Sequence, residues 1–199
     1  MHGLVNSSIE AFLRRRYGEE LWGAVAREAQ LPQPRFEPMF VYDDDVAYRV
    51  IDAASTLLDK PTEVLLEDLG THLVSSPNIS AVRRLLRFGG IDFIDFLHSL
   101  NDLRDRMRLA VPDLVLPVME LSGGDGDPFR LVCQTAPAGF DRVIMGLLRA
   151  MADEYGALAL IELVEDSQGE VGDVHIEITV AEERFAEGRD FDLGGVVVS

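Results

Sequence analysis

Apolar residues follow helical spacing before residue 117, and after it strand-like alternation appears on either side of one further helical stretch. The stretch Ile91–Pro117 carries the clearest pattern, a predicted amphipathic helix over Ile91–Met107 followed by a proline-marked strand entry. The apolar stripe of this helix consists of Phe93, Leu97, Leu100 and Met107. Arg104 falls on the same face, and a guanidinium cannot shed its charge. A buried Arg104 would need an anion or a route to water, so what it meets is the main functional question.

Four further helices are predicted from the same periodicity. They cover Leu4–Tyr17, Glu19–Ala29, Pro61–Leu73 and Ile79–Phe88. The expected caps of the first are Asn6, Ser7 and Ser8. Another helix follows the acidic trio Asp43–Asp45, because carboxylates favour a helix N-terminus. The alternative for the trio is a divalent cation site, although the spacing of a calcium loop is missing.

The residues after Pro117 predict an α+β domain in which helices come first and an antiparallel four-stranded sheet follows. The predicted strands are Val118–Leu121, Phe129–Thr135, Leu158–Glu165 and Val174–Val180. A turn at Ser122–Asp127 joins the first two strands, and a helix over Gly139–Tyr155 precedes the third.

Composition narrows the classes of partner and location. The chain has 199 residues, of which 47% are hydrophobic, enough for one globular domain with a sizeable core. The formal net charge of −17 disfavours nucleic acid and anionic membranes, because both are negatively charged. A single cysteine, Cys133, excludes an intrachain disulfide and fits a reducing compartment. With neither a membrane-spanning run nor a signal-peptide pattern, a cytoplasmic location is expected.

Short motifs are spread over nearly the whole chain. They are GLVN near the start, YDD at 42–44, LEDLG at 66–70, FLxSLNxLR at 96–104 and PxLxxPxM at 112–119. Together they resemble heme nitric-oxide/oxygen-binding (H-NOX) domains. The resemblance implies one domain over residues 1–181, with a helical lobe at about 1–65 and a sheet-bearing lobe at about 66–181. An acidic, Gly-rich tail at 182–199 lies beyond it. The family cofactor is heme b, bound between the lobes.

Two heme-binding features of the family are altered in this sequence. The heme-ligating histidine falls on Arg104, which has no lone pair for iron. The propionate-binding Tyr-x-Ser-x-Arg motif falls on Cys133, Thr135 and Pro137, so only the hydroxyl remains. We therefore expect no heme cofactor. Arg104, Pro117, Cys133 and Thr135 are the candidate residues of a pocket vacated by heme.

A non-standard axial ligand is the alternative. Cys133 would supply it as a thiolate, or a histidine would replace the family's ligand, and the protein would then be a heme-binding nitric-oxide sensor. His98 lies six residues before Arg104, about 120° away around a helix, and is expected to face solvent. His72 is expected at the surface.

The function that the resemblance implies is that of a non-catalytic, stand-alone signalling sensor or adaptor. No phosphate loop, nucleophile elbow or metal-ligand spacing occurs in the sequence, so neither an enzyme nor a metal site is expected. The pocket would take an apolar or carboxylate-bearing small molecule. The partner would be a signalling protein such as a histidine kinase or a cyclase. Arg104 is expected to pair with an acidic side chain or with the carboxylate of a ligand.

Overall fold

A computed structural model describes residues 1–75, 90–124, 126–165 and 172–186 of the chain. The helices in these ranges are α1 (Gly3–Tyr17), α2 (Glu19–Glu28), α3 (Asp45–Leu58), α4 (Thr62–Ser75), α5 (Phe93–Ser99), α6 (Leu103–Ala110) and α7 (Phe140–Tyr155), with a 3-10 turn at Leu100–Asp102. The strands are β1 (Val118–Gly124), β2 (Asp127–Gln134), β3 (Leu158–Val164) and β4 (Val174–Glu182). The helix predicted over Ile79–Phe88 lies outside the described residues. Within the described ranges, no helix has both the length and the apolar character needed to cross a bilayer.

The sheet confirms the predicted α+β class. Its four strands are antiparallel and follow the order β1-β2-β4-β3. The register pairs Leu131 with Ile176 and Phe129 with Ile178, and all four side chains are buried. They join a core cluster that also contains α7 residues such as Leu148. The alternation of apolar residues thus places one face of the sheet against the helices.

The β1–β2 hairpin is tighter than predicted. Gly123 and Gly124 adopt φ angles of 88° and 95°, a region that glycine enters without a Cβ penalty. β1 continues beyond Ser122 to Gly124 with a shift in its register against β2, and β2 begins at Asp127. Strand therefore replaces most of the turn predicted over Ser122–Asp127.

The helix predicted over Ile91–Met107 is helical, but its predicted continuity is wrong, because the 3-10 turn separates α5 from α6. The turn brings Asn101 against β1, where its Oδ1 accepts a hydrogen bond from the Leu121 N–H at 2.7 Å. Across the turn, Arg106 Nη2 donates to the Ser99 carbonyl at 2.7 Å and satisfies a helix-end acceptor. The break between α5 and α6 therefore coincides with a tertiary contact, and the apolar periodicity of the sequence does not predict that break.

The cap of α1 also differs from the prediction. His2, rather than Asn6, Ser7 or Ser8, is the N-cap residue. Its Nδ1 accepts a hydrogen bond from the Leu4 N–H at 3.1 Å. Ser7 and Ser8 instead donate to the Leu4 carbonyl inside the helix. The helix thus begins earlier than predicted, directly beside the loop that precedes α3.

Two buried clusters form the core, and α4 contributes to both of them. Where α4 crosses α7, two glycines allow the backbones to touch. A Cβ on Gly70 would lie 2.0 Å from the Val143 carbonyl oxygen, and a Cβ on Gly146 would lie 2.0 Å from that of Glu67. The spacing of the two helices therefore depends on the absence of side chains at both positions.

Candidate functional site

Arg104 occupies the first turn of α6 and is half-buried. The predicted stripe of Phe93, Leu97, Leu100 and Met107 is buried throughout. Residues in a 3-10 turn advance about 120° each instead of about 100°, so three of them add about 60° of rotation. This rotation brings Leu103 onto the buried stripe and moves Arg104 to its edge. The arginine therefore reaches solvent more readily than the uniform helical pattern predicts.

The acidic partner predicted for Arg104 is not found in the described part of the chain. Across residues 1–75, 90–124, 126–165 and 172–186, its guanidinium makes neither an ion pair nor a hydrogen bond. Arg106, two residues later, differs in donating to a backbone carbonyl. Within these ranges the half-buried Arg104 is open to solvent, and its pairing with a ligand carboxylate stays a prediction.

Cys133 and Pro117, two of the other pocket candidates, are buried. Cys133 lies on the inner face of β2, opposite Met119 of β1. It belongs to the same core cluster as Leu103, the residue before Arg104. The thiol is therefore packed among apolar side chains on the side of the sheet that faces the Arg104 helix.

Thr135, the fourth candidate, is exposed just after the end of β2. Its φ of 50° turns the chain, and its N–H donates to the Asp173 carboxylate at 2.8 Å. Pro137 is also exposed. The hydroxyl that the sequence retains from the propionate motif therefore lies at the surface, away from the buried Cys133.

Burial raises the pKa of the Cys133 thiol to about 12, and the nearby Asp173 carboxylate adds to the shift. The thiol is therefore protonated near neutral pH. A protonated thiol is a poor ligand and a poor nucleophile, because metal binding and attack both require the thiolate.

We expect Cys133 to react with a thiol reagent at pH 8 about 1000-fold more slowly in the folded protein than in guanidinium chloride, because the raised pKa lowers the thiolate fraction by about that factor. Because folding raises its pKa from the ordinary value of 9.0, the neutral thiol favours the folded state fully below about pH 9. That contribution is lost as the pH rises from about 9 towards 12, and Cys133→Ala should abolish this part of the pH dependence. Native labelling as fast as that of the unfolded chain would contradict the burial of the thiol.

The four histidines do not form a cluster. His98 is exposed, in agreement with the expectation from the sequence. His72, expected at the surface, is half-buried against Phe12 with 5.5 Å between ring centroids, and burial lowers its pKa. His2 caps α1, and His175 lies on the outer face of the sheet. Among the described residues, no group of three or more His, Cys, Asp or Glu side chains is suited to hold a metal ion.

The acidic trio Asp43–Asp45 precedes α3 as predicted, but its carboxylates do not cap the helix in the expected way. Asp44 is the N-cap residue without a side-chain capping bond, and its carboxylate pairs with the Met1 ammonium. Asp45 lies in the first turn and pairs with Arg49 at 3.0 Å. Favourable charge at the helix N-terminus is retained, whereas direct capping is absent.

One exposed apolar segment was not singled out from the sequence. Met39, Phe40 and Val41 lie in the loop before α3 with most of their side-chain surface in solvent. The available signal was a run of three large apolar residues between Pro38 and the acidic trio. Periodicity cannot identify such a run as exposed, because it lies outside any helix or strand.

Comparison with known proteins gives one family and one fold. A family model described as haem-NO-binding matches residues 2–163. Soluble guanylate cyclase 89Db of Drosophila melanogaster is 22% identical over 171 residues, which cover 86% of this chain and 26% of the relative. Soluble guanylate cyclase gcy-31 of Caenorhabditis elegans is 22% identical over 166 residues, covering 83% and 24% respectively. The chain thus spans about a quarter of the length of these curated relatives.

Solved structures of similar shape agree with the family match. The Fe(II) unliganded H-NOX protein from K. algicida superposes with a TM-score of 0.77 at 17% identity, covering 94% of this chain and all of that one. A Cs H-NOX mutant carrying 4-cyano-L-phenylalanine also gives a TM-score of 0.77, at 15% identity and 94% coverage of this chain. At these identities the likeness establishes the fold.

Proposed function

This chain belongs to the haem-NO-binding (H-NOX) family, and we propose that it acts in signalling as a non-catalytic sensor or adaptor domain that works without heme. The observation that carries the proposal is Arg104, which stands where the family motif has the heme-ligating histidine. A guanidinium offers iron no lone pair and stays protonated at any physiological pH.

The residues around this position do not fit heme in other respects. Cys133, the candidate for thiolate ligation, is fully buried, and its pKa of about 12 disfavours the thiolate that iron would need. Thr135 and Pro137 are exposed, and a proline cannot form the bidentate hydrogen bonds that an arginine gives a propionate. Loss of the ligand and of the clamp together supports a heme-free domain.

A different small molecule is the proposed signal. Arg104 is half-buried beside an apolar core cluster, without an ion pair in the described ranges. An apolar molecule bearing a carboxylate would match both features, because its anion would pair with the guanidinium and its body would pack on the apolar side chains. Pro117 and Cys133 are the proposed apolar neighbours of this site.

The proposed recipient of the signal is a separate signalling protein. The curated relatives are soluble guanylate cyclases in which the matching region is about a quarter of the chain. In this chain the same region would act on a cyclase or a histidine kinase as its partner. An adaptor of this kind needs no catalytic group of its own.

Hemin titration of the purified protein tests the heme-free proposal. We expect no sharp Soret band at one equivalent, because neither an axial ligand nor a propionate clamp is available. The K. algicida H-NOX protein, stripped of heme and titrated in the same way, is the positive control. A stoichiometric Soret band in this protein would overturn the proposal, and Cys133→Ala would then separate thiolate from histidine ligation through its effect on the spectrum.

A further inference from the structure

The loop before α3 presents three large apolar side chains to solvent. Met39, Phe40 and Val41, together called the apolar tip, have 84%, 62% and 76% of their surface exposed. Apolar side chains in solvent gain nothing from folding, and a contiguous run of them usually marks an interaction site.

Backbone hydrogen bonds hold the apolar tip in place. The Gly3 N–H donates to the Phe40 carbonyl at 2.7 Å, and the Tyr42 N–H donates to the Met1 carbonyl at 3.0 Å. The Glu37 N–H donates to the Tyr42 hydroxyl at 2.8 Å. A Cβ on Gly3 would lie 2.2 Å from the Glu37 carbonyl oxygen, so only glycine permits this close approach of α1 and the loop. The tip is therefore fixed before any partner arrives, which lowers the entropy cost of docking.

Acidic residues flank the apolar tip on both sides in the sequence. Glu37 and Asp43 flank it in sequence, are exposed, and make no ion pair within the described ranges. Asp44 and Asp45, also exposed, pair with the Met1 ammonium and with Arg49. Two of the four carboxylates thus remain uncompensated in a chain of net charge −17. Such a rim attracts a basic surface and repels a second copy of the chain, nucleic acid and anionic membranes.

We propose that the apolar tip is the anchor by which this domain docks on a partner protein, against an apolar surface bordered by Lys and Arg. Phe40 and Met39 would pack on the apolar surface, and Glu37 and Asp43 would meet its basic border. This inference rests on the adaptor part of the proposed function and not on the absence of heme. None of the residues involved is a heme-site candidate, so a negative result in the docking test and a negative result in the hemin titration can be told apart.

The test uses a fluorescein-labelled helical peptide of leucine and lysine, with one apolar and one basic face, and follows anisotropy on addition of the full chain. We expect saturable binding that weakens as salt rises from 50 to 500 mM. In the double variant Met39→Ser/Phe40→Ser, binding should weaken about tenfold or more, because both anchors are lost. Glu37→Gln/Asp43→Asn should weaken it several-fold and flatten the salt dependence.

Matched controls come from elsewhere on the surface. Leu109 and Val115 are 88% and 84% exposed, so Leu109→Ser/Val115→Ser removes as much exposed apolar surface. Asp113→Asn with Glu63→Gln removes two exposed carboxylates that do not flank the tip in sequence. These variants should bind as the unaltered chain does. Equal losses of binding in the tip and control variants would mean diffuse attraction to an acidic protein and would overturn the proposal. The proposal would also be overturned if the leucine–lysine peptide did not bind, or if a leucine–glutamate peptide bound equally well.

Discussion

Replacing Arg104 with histidine is expected to give a protein that takes up heme partially and shows a Soret band, whereas none is expected for the unaltered chain. Histidine supplies the lone pair that arginine cannot offer. Arg104 already lies at the edge of the buried stripe of α5 and α6, so the smaller ring can be accommodated without a new buried charge. Hemin titration followed by absorption spectroscopy measures the change.

Uptake should remain incomplete in Arg104→His because the propionate clamp is still missing. Adding Pro137→Arg should tighten heme binding by about 10- to 100-fold, since a charge-assisted bidentate pair contributes about 1.5–3 kcal/mol. Pro137 is exposed in the loop between β2 and α7 and leaves room for a long side chain. Restoring tyrosine at Cys133 is a poorer choice, because that side chain is fully buried and a larger one would overpack the core.

Arg104→Met is the matched control for this series. It removes the charge, keeps an unbranched side chain and supplies no nitrogen ligand. If charge alone excluded heme, Arg104→Met would gain as much heme as Arg104→His. If Arg104→His by itself bound heme stoichiometrically and tightly, the altered strand would have no part in excluding the cofactor.

Alanine at Gly70 or at Gly146 is expected to destabilise the protein by about 2 kcal/mol or more, because each added Cβ would fall 2.0 Å from a backbone carbonyl oxygen of the facing helix. Backbone atoms cannot turn aside as a side chain does, so α4 and α7 would have to move apart. For a chain of this length the melting temperature should fall by roughly 4–8 °C. Urea denaturation and thermal melting both measure the loss.

Gly23→Ala is the control for these two substitutions. Gly23 lies in α2, where a new Cβ would meet only the guanidinium of Arg27 at 3.7 Å. Alanine there should raise stability by up to about 1 kcal/mol, because it improves helix propensity without a clash. Losses at Gly70 and Gly146 no larger than the change at Gly23 would show that α4 and α7 are not in backbone contact.

The sequence alone determined the class of fold and identified the residues on which the proposal of a heme-free domain rests. Apolar periodicity gave the buried stripe of the central helix and the alternating strands of an antiparallel sheet, because both patterns follow from the period of the backbone itself. Comparison of the sequence motifs with the family pattern was sufficient to identify Arg104 and Cys133 as departures from it. These inferences needed only residue chemistry and spacing along the chain.

Only the tertiary structure decided how those residues are presented. Arg104 moved to the edge of its stripe through a 3-10 turn in which Asn101 bonds to β1, a contact between residues 20 apart in sequence. Gly70 and Gly146 lie where two helices that are distant in sequence cross in close contact, and His72 is half-buried because it packs on Phe12. Each outcome depends on which segments meet in space. The periodicity of apolar residues within one segment contains no information about the residues that pack against it.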